Sequence, residues 1–368
     1  MKHRVKAQVD MQCIRHNYNR IKQLVGDSTR VMAVVKADAY GHGAVRTAAM
    51  LESEGCTDFA VACLSEAEEL KQGGIKGNIL ILGPTDASQA AILDNEGFIQ
   101  TVDGFDYALQ LAKDAKVRVH IKVDTGMSRI GIYCHRDEDI PAAADEIERI
   151  SKTDGILVEG IFTHFADSDS ANRAFTEHQY GVFTSLLDEL ARRGVQYGTR
   201  HCCNSAATVN YPEMHLDMVR AGIILYGLMP SDKVCDSAFM PAMKLTARIC
   251  AVHRLAKGDC VSYGCTFTAD RETRVAVISI GYADGFSRVY SGKPVITVSG
   301  KKYSTIGRIC MDMCMIELED DAVCEVGDEA VIFESAEDIE HLAEIMGTVN
   351  YEILCSLKHR VTLKYVNL

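Results

Sequence analysis

The 368-residue sequence lacks the features that mark membrane, secreted or disordered chains. It has no run of about 18 consecutive apolar residues, which a membrane helix requires, and its first ten residues contain no apolar signal core. Its six prolines form no proline-rich linker, and no low-complexity segment is present. We therefore expect a folded, cytoplasmic protein with no membrane span in this chain.

Common metal-binding and disulfide patterns are missing as well. The fourteen cysteines include no Cys-x-x-Cys pair, and the twelve histidines include no His-x-His or His-Glu-x-x-His pattern. We therefore expect reduced thiols and no metal site. The net charge of −12 argues against a protein that coats nucleic acid, because such proteins are usually basic.

Short runs rich in β-branched and apolar residues alternate with stretches of helical spacing through the first two-thirds of the chain. Strands that are apolar throughout indicate a parallel sheet with both faces covered by helices. Seven or eight such units predict a (β/α)8 TIM-type barrel. A doubly wound sheet is the alternative, but the Gly-rich turn that usually follows its first strand is absent. The predicted strands are 31–36, 58–63, 78–82, 97–102, 117–123, 157–164 and 219–226, and the clearest helical stretches are 44–55, 64–74 and 89–97.

The character of the sequence changes near residue 240. Short strand-like segments separated by Gly, Asp and Lys turns follow, with one helical stretch at 337–347. This pattern predicts a mostly β C-terminal domain at 239–368 after a barrel domain at 1–238. The opening strand at 5–10 could pair with either domain.

The segment VMAVVKADAYGHG (31–43) ends a predicted buried strand at Lys36. One interpretation is a strand-end lysine whose amine reaches solvent. The other is a Schiff-base lysine at the C-terminal mouth of a barrel strand, where barrel enzymes place their catalytic groups. Burial would lower the pKa of this amine and make it available as nucleophile and base.

This segment resembles the pyridoxal-phosphate lysine motif of the alanine racemase family, A-V-V-K-A-N-A-Y-G-H-G, and differs only in having Asp38 for Asn. The resemblance implies a fold-type III barrel followed by a β domain. It also implies a racemase that supplies D-alanine for peptidoglycan. Further family-like segments follow in order at 120–131, 160–166, 201–207, 219–230, 261–269, 278–288 and 307–313.

The resemblance also implies how pyridoxal 5'-phosphate is held. Arg220 would face the pyridine nitrogen, with His164 supporting it. Because a guanidinium only donates hydrogen bonds, the ring nitrogen would stay unprotonated, which favours return of the proton to Cα over transamination. The implied cofactor contacts are Lys36, Tyr40, His164, Asn204, Ser205, Arg220, Gly222, Ile223 and His359.

Racemisation requires a proton to leave one face of Cα and another to arrive on the opposite face. The resemblance assigns these two tasks to Lys36 and Tyr263. It places Tyr263 in the site of the partner subunit, which implies a homodimer with shared sites. Lys122 aligns with a lysine that many members carry carbamylated. The implied substrate contacts are Arg129, Tyr282, Met311 and Asp312.

Alternative functions remain at this stage. One is a serine or broad-specificity racemase of the same family, including the soluble domain of a membrane-linked serine racemase. A decarboxylase of the same fold type and a non-catalytic cofactor-binding barrel protein are further alternatives. His359 stands where the family has a tyrosine that narrows the substrate pocket, so we expect measurable L-serine racemisation. Alternatively, His359 donates the same phosphate hydrogen bond without changing specificity.

Overall fold

The computed structural model describes residues 3–368, and the chain divides into two compact units. The first, here called the barrel unit, comprises 14–39 and 43–240. The second, here called the β unit, comprises the residues up to Cys13, Tyr40–His42 and Pro241–Leu368. No helix among residues 3–368 is long and apolar enough to cross a bilayer.

The chain opens with strand β1 (Val5–Asp10) and helix α1 (Met11–Val25). Side chains of β1 alternate between buried and half-buried positions, which is the period of a strand with one face in a core. β1 pairs parallel to β19 (Thr362–Val366) and antiparallel to β11 (Met243–Leu255). The opening strand, whose partner the sequence left undecided, is therefore part of the β unit.

Eight parallel strands form the closed sheet of the barrel unit. Each pairs with the next one around the ring, and the pairing of the fourth strand with the fifth completes the circle. The predicted (β/α)8 barrel is thus confirmed. The strands are β2 (Arg30–Val34), β3 (Asp58–Val61), β4 (Asn78–Ile81), β5 (Ile99–Val102), β6 (Val117–Asp124), β8 (Ile156–Phe162), β9 (Thr199–His201) and β10 (Met218–Ala221), and the short β7 (Ile132–Tyr133) pairs with β6.

Helices follow most of the barrel strands. In α8, buried Val182, Phe183, Leu186, Leu187 and Leu190 recur at helical spacing, so one face of this helix packs on the sheet. The helical segments of this part of the chain are α2 (Lys36–Gly41), α3 (Ala44–Ser53), α4 (Leu64–Gln72), α5 (Ala90–Glu96), α6 (Phe105–Leu111), α7 (Ile140–Ser151), α8 (Ala174–Arg192) and α9 (Ser205–Asn210).

The β unit contains a mostly antiparallel sheet in the order β14-β17-β16-β15-β18-β11-β1-β19, and β14 also pairs with β11. The predicted helix at 337–347 is observed as α10 (Ala336–Met346) and is followed by α11 (Asn350–Cys355). The remaining strands are β12 (Cys260–Val261), β13 (Phe267–Thr268), β14 (Thr273–Ile278), β15 (Pro294–Val298), β16 (Lys301–Ile306), β17 (Cys314–Leu318) and β18 (Glu329–Phe333).

Candidate active site

Lys36 begins an unusual turn at the carboxyl end of β2. The four residues that follow it have φ angles of 52° to 53°, so α2 is a left-handed turn built from Ala37, Asp38, Ala39 and Tyr40. A left-handed conformation costs roughly 1–2 kcal/mol for each residue other than glycine. Surrounding contacts must therefore hold this turn in place. Nothing in the sequence of this segment revealed a left-handed turn.

Asp38, the one departure from the family motif, anchors the far end of this turn. Its Oδ1 accepts a hydrogen bond of 2.6 Å from the N–H of Ala44, the first residue of α3. Its carbonyl oxygen accepts a second bond, of 2.9 Å, from the N–H of Gly43. Burial raises the pKa of this carboxyl group above its ordinary value, and the nearby Glu66 carboxylate adds to the effect. Aspartate thus performs a local capping role at this position.

Arg220 lies in β10, is only 4% exposed, and makes hydrogen bonds exclusively to neutral groups among residues 3–368. Its Nη1 donates to His201 Nδ1 at 2.9 Å, and its Nη2 donates to His164 Nδ1 at 3.1 Å. Nη2 also lies within hydrogen-bond distance of the backbone carbonyls of Thr163 and Cys202. Burial lowers the pKa of Arg220 to about 10, so the guanidinium stays charged at neutral pH. Within residues 3–368 it has no carboxylate partner.

The two histidines beside Arg220 are held in defined tautomers. Because arginine only donates, Nδ1 of both rings must accept. Burial, with the nearby charge of Arg220, keeps the pKa of His164 and of His201 well below the ordinary value. The other nitrogen of neutral His201 therefore carries a proton and donates to His120 Nδ1 at 2.9 Å. Gly160 leaves room for the His120 ring, since a Cβ there would lie 2.6 Å from His120 Nε2.

The sequence analysis named His164 and His359 as site residues but did not identify His120 or His201. Both are buried in the barrel, and their positions inside apolar strands gave no separate functional signal. The available clue was that each lies in one of the family-like segments, 120–131 and 201–207.

Lys122 is buried beside Arg220, with 3% of its surface exposed. Its Nζ donates to the carbonyl oxygen of Val123 at 2.7 Å and lies 5.5 Å from the centre of the Phe162 ring. Burial, followed by repulsion from Arg220, lowers the pKa of this amine to about 7. Phe162 also stacks on His201, with ring centres 4.8 Å apart. This buried cluster therefore combines one permanent cation with an amine that is partly neutral at physiological pH.

Arg129 lies in a loop that Asp124 shapes. Asp124 Oδ1 accepts hydrogen bonds of 3.0 Å from the N–H groups of Gly126 and Ser128, and His135 Nε2 lies 3.3 Å from Oδ2. Burial alone would raise the pKa of Asp124, but the hydrogen bonds outweigh it and hold the pKa below its ordinary value. Asp124 stays ionised and fixes the turn that precedes Arg129.

A group of small polar residues lies around the start of α9. Asn204 caps this helix by accepting a 3.0 Å hydrogen bond from the Ala207 N–H. Ser205 Oγ accepts a 2.9 Å hydrogen bond from the N–H of Gly222. The Ser205 hydroxyl can therefore donate its own proton to another acceptor. Gly222 precedes the 3₁₀ turn Ile223–Tyr226. The structure thus brings Asn204, Ser205, Gly222 and Ile223 together at the ends of β9 and β10.

The remaining predicted site residues belong to the β unit. Tyr263, Met311 and Asp312 line one cavity of about 560 Å³, together with Ser262 and Cys310. Tyr263 is 72% exposed, an unusual state for a large aromatic side chain. The backbone N–H of Tyr282 donates to the carbonyl oxygen of Cys310 at 3.2 Å, and Arg360 donates to Asp312 at 2.6 Å.

Tyr263 is positioned by a strained residue that the sequence did not reveal. Ser262 has φ 66° and ψ −176°, a region almost confined to glycine. Its hydroxyl donates a 2.6 Å hydrogen bond to the carbonyl oxygen of Arg308. Glycine at position 307 allows the chain at Gly307 to lie close to Val261 and Ser262, because a Cβ there would lie 2.6 Å from the carbonyl oxygen of Val261.

Tyr40 and His359, both predicted to contact the cofactor, also belong to the β unit. Tyr40 is buried, and its ring centre lies 6.0 Å from that of Tyr351. Burial raises the pKa of the Tyr40 hydroxyl, which therefore stays protonated. His359 lies in an exposed turn after α11.

Comparison with known proteins covers nearly the whole chain. Residues 9–230 match the family model described as "Alanine racemase, N-terminal domain", and residues 242–365 match "Alanine racemase, C-terminal domain". The alanine racemase of Desulforamulus reducens is 42% identical over 374 residues and covers 100% of both chains. Alanine racemase 1 of Clostridium acetobutylicum is 39% identical over 98% of this chain and 95% of its own.

Solved structures agree with the sequence comparison. The chain is similar to alanine racemase from Clostridium difficile 630, with a TM-score of 0.93, 36% identity and coverage of 100% and 96% of the two chains. It is also similar to alanine racemase from Bacillus anthracis with bound L-Ala-P, with a TM-score of 0.92, 30% identity and the same coverage.

Proposed function

The chain belongs to the alanine racemase family, and from this premise we propose that it interconverts L- and D-alanine with pyridoxal 5'-phosphate as its cofactor. The observation that carries the proposal is the buried Arg220, a cation hydrogen-bonded only to neutral groups at the same strand ends as Lys36. Such a cation can donate a hydrogen bond to a ligand atom that carries a lone pair, as an unprotonated pyridine nitrogen does. The product would be D-alanine for the cell wall.

The side chains present fit this cofactor. Lys36 supplies an amine for its aldehyde, and Arg220 supplies donors for its pyridine nitrogen. Ser205 supplies a hydroxyl donor and Ile223 a backbone donor for its phosphate, while the Gly222 N–H bonds to Ser205 Oγ and orients that hydroxyl. When bound, pyridoxal 5'-phosphate withdraws electrons from the amino acid and makes the hydrogen on Cα acidic. Tyr40, Asn204 and His359 complete the predicted cofactor contacts, with Asn204 acting by capping the helix that begins at Ser205.

Arg220 determines which reaction is favoured. His164 and His201 accept its hydrogen bonds, so both rings orient the guanidinium without neutralising it. With its pKa lowered only to about 10, Arg220 keeps its protons at neutral pH and leaves the pyridine nitrogen unprotonated. A modest electron sink favours rapid return of a proton to Cα, which is what a racemase needs.

Lys36 and Tyr263 would exchange protons with opposite faces of Cα. Lys36 serves one face from the barrel unit. The exposure of Tyr263, and the cavity that it lines with Met311 and Asp312, support its insertion into the site of another subunit. We therefore include a homodimer in the proposal, with Tyr263 of the partner subunit serving the second face. Tyr282, Met311 and Asp312 would line the substrate.

The substrate carboxylate would pair with Arg129, whose loop Asp124 holds. The surroundings of Lys122 fit its carbamylation. The uncharged amine is the form that reacts with carbon dioxide, and a pKa of about 7 makes this form abundant. The resulting negative charge would lie near Arg220 and Arg129, whose positive charges now repel the Lys122 ammonium.

Racemisation of serine is a second candidate activity and rests on His359, which replaces the family's tyrosine. We expect the ratio of kcat/KM for L-serine to that for L-alanine to be measurable in the wild type and to fall in His359→Tyr. An unchanged ratio would leave His359 without a role in specificity.

The covalent attachment of the cofactor tests the proposal. The loaded protein is reduced with borohydride and digested, and the labelled peptide is identified by mass spectrometry. We expect the label on Lys36, and we expect Lys36→Ala to lose both the label and the racemisation of L-alanine. A label found only on another lysine would overturn the proposed mechanism.

A further inference from the structure

The left-handed turn after Lys36 is held at its near end by a side chain from another strand–helix unit. Glu66 lies in α4, and its Oε1 accepts a 2.8 Å hydrogen bond from the N–H of Ala37. Its Oε2 accepts a 2.7 Å bond from the N–H of Ala62, which directly follows β3. One carboxylate therefore joins the carboxyl ends of the neighbouring strands β2 and β3.

We propose that Glu66 is a positioning residue that fixes the turn bearing Lys36 and thereby sets the rate at which Lys36 attaches to the cofactor. This inference rests on the proposed function, since it takes Lys36 as the attachment point. Glu66 itself is not assigned any contact with cofactor or substrate.

The position of the anchored amide explains why Glu66 matters. Ala37 is bonded directly to Lys36 and is the first residue of the left-handed run. Asp38 holds the far end through Ala44, but Glu66 holds the end adjacent to the lysine. Without Glu66, the Ala37 N–H would lose its acceptor, and the strained turn could relax toward the ordinary right-handed region.

The chemistry of the contact requires a carboxylate. The N–H groups of Ala37 and Ala62 each donate to a different oxygen of Glu66, so both oxygens of the side chain must accept. Glutamine has one accepting oxygen and a donating amide, so it could satisfy one N–H and would oppose the other. Glu66→Gln is nearly isosteric and therefore tests the acceptor pair without creating a cavity.

Glu69 provides a matched control on the same helix. It is exposed, and its carboxylate forms no hydrogen bond with Ala37 or Ala62. Glu69→Gln removes the same charge from α4 while leaving the Glu66 contacts intact. Far-UV circular dichroism establishes that the variants are folded. Glu66→Asp, which keeps the charge but shortens the reach, serves as a second test if Glu66→Gln does not fold.

Two readouts on the full chain test the inference. Hydrogen exchange of the Ala37 amide is measured without cofactor, and the rate of borohydride-trapped attachment to Lys36 is measured after adding pyridoxal 5'-phosphate. We expect Glu66→Gln to exchange about tenfold faster and to attach about tenfold more slowly than Glu69→Gln, the size of one lost charge-assisted hydrogen bond. Glu66→Asp is expected to change both rates in the same directions.

The outcomes separate this inference from the proposed function. If the wild type does not attach the cofactor to Lys36, the proposed function fails. If the wild type attaches it and Glu66→Gln matches Glu69→Gln in both readouts, only the role of Glu66 is overturned. Faster exchange with an unchanged attachment rate would also overturn it, because Glu66 would then be structural alone.

Discussion

Arg220 is a buried cation that has no carboxylate partner among residues 3–368. Its guanidinium is buried among neutral acceptors, and a buried cation is costly unless its donors are hydrogen-bonded. In Arg220→Glu, a carboxylate would hold a proton on the pyridine nitrogen and strengthen the electron sink. We expect racemisation to fall by about 10²-fold, the usual effect of removing one preorganised electrostatic group, and 2-keto acid formed per turnover to increase. An unchanged ratio of keto acid to racemised product would contradict the assigned role.

Lys122 makes stability depend on pH when it is not carbamylated. Its pKa is about 7 in the folded chain against an ordinary value of 10.5, so the folded chain binds fewer protons than the unfolded chain between these values. The free energy of unfolding should therefore rise with pH across this window and should carry the full penalty of the buried ammonium below about pH 7. In buffer free of carbon dioxide, Lys122→Met should flatten this slope, as measured by urea unfolding at several pH values. Lys116→Met, at an exposed lysine, should leave the pH dependence of the free energy of unfolding unchanged. The same pH dependence in the wild type, Lys122→Met and Lys116→Met would contradict the expectation.

The strained backbone of Ser262, which precedes Tyr263, makes stability depend on which residue occupies position 262. Glycine tolerates the backbone angles of Ser262 and alanine does not, while both substitutions remove the hydrogen bond to Arg308. We therefore expect Ser262→Ala to be less stable than Ser262→Gly by about 1–3 kcal/mol, measured by urea unfolding. The reverse order, which is usual elsewhere, would show that the turn relaxes. Urea unfolding of Ser291→Ala and Ser291→Gly, at an ordinary negative φ, supplies the control.

Elements fixed by local patterns were predictable from the sequence. The helical stretches 44–55 and 64–74 are observed as α3 and α4, each ending two residues early because Glu54 and Gly73 form the C-caps. The pairing of β1 was not predictable, since its partners β11 and β19 lie more than two hundred residues away. The left-handed turn after Lys36 was not predictable either, because its acceptor Glu66 is distant in sequence and no glycine occupies 37–40.

The residues of the predicted site lie in both units. The groups around Arg220 and Ser205 lie at strand ends of one barrel. His120 and His201 were missed because a buried histidine in an apolar strand looks like any core residue until its hydrogen bonds are known. The exposure of Tyr263 could not be read from its segment, since exposure depends on the fold of the whole β unit.

At the scale of the whole molecule, the two proposed bases lie in different units. Lys36 belongs to the barrel unit and Tyr263 to the β unit. If each site borrows its tyrosine from a partner subunit, a Lys36→Ala subunit paired with a Tyr263→Phe subunit contains one intact site and one doubly defective site. Random mixing of the two inactive variants should restore about a quarter of the wild-type specific activity. No recovery, despite subunit exchange shown by mass spectrometry, would contradict the shared site.

Racemisation of L-alanine in D2O by the cofactor-loaded chain tests both proposed bases in one reaction. Two bases that exchange protons with solvent should bring the optical rotation to zero and leave deuterium on Cα of the D-alanine formed. Polarimetry and mass spectrometry follow the two quantities in one reaction. A constant rotation, or D-alanine without deuterium at Cα, would contradict the account.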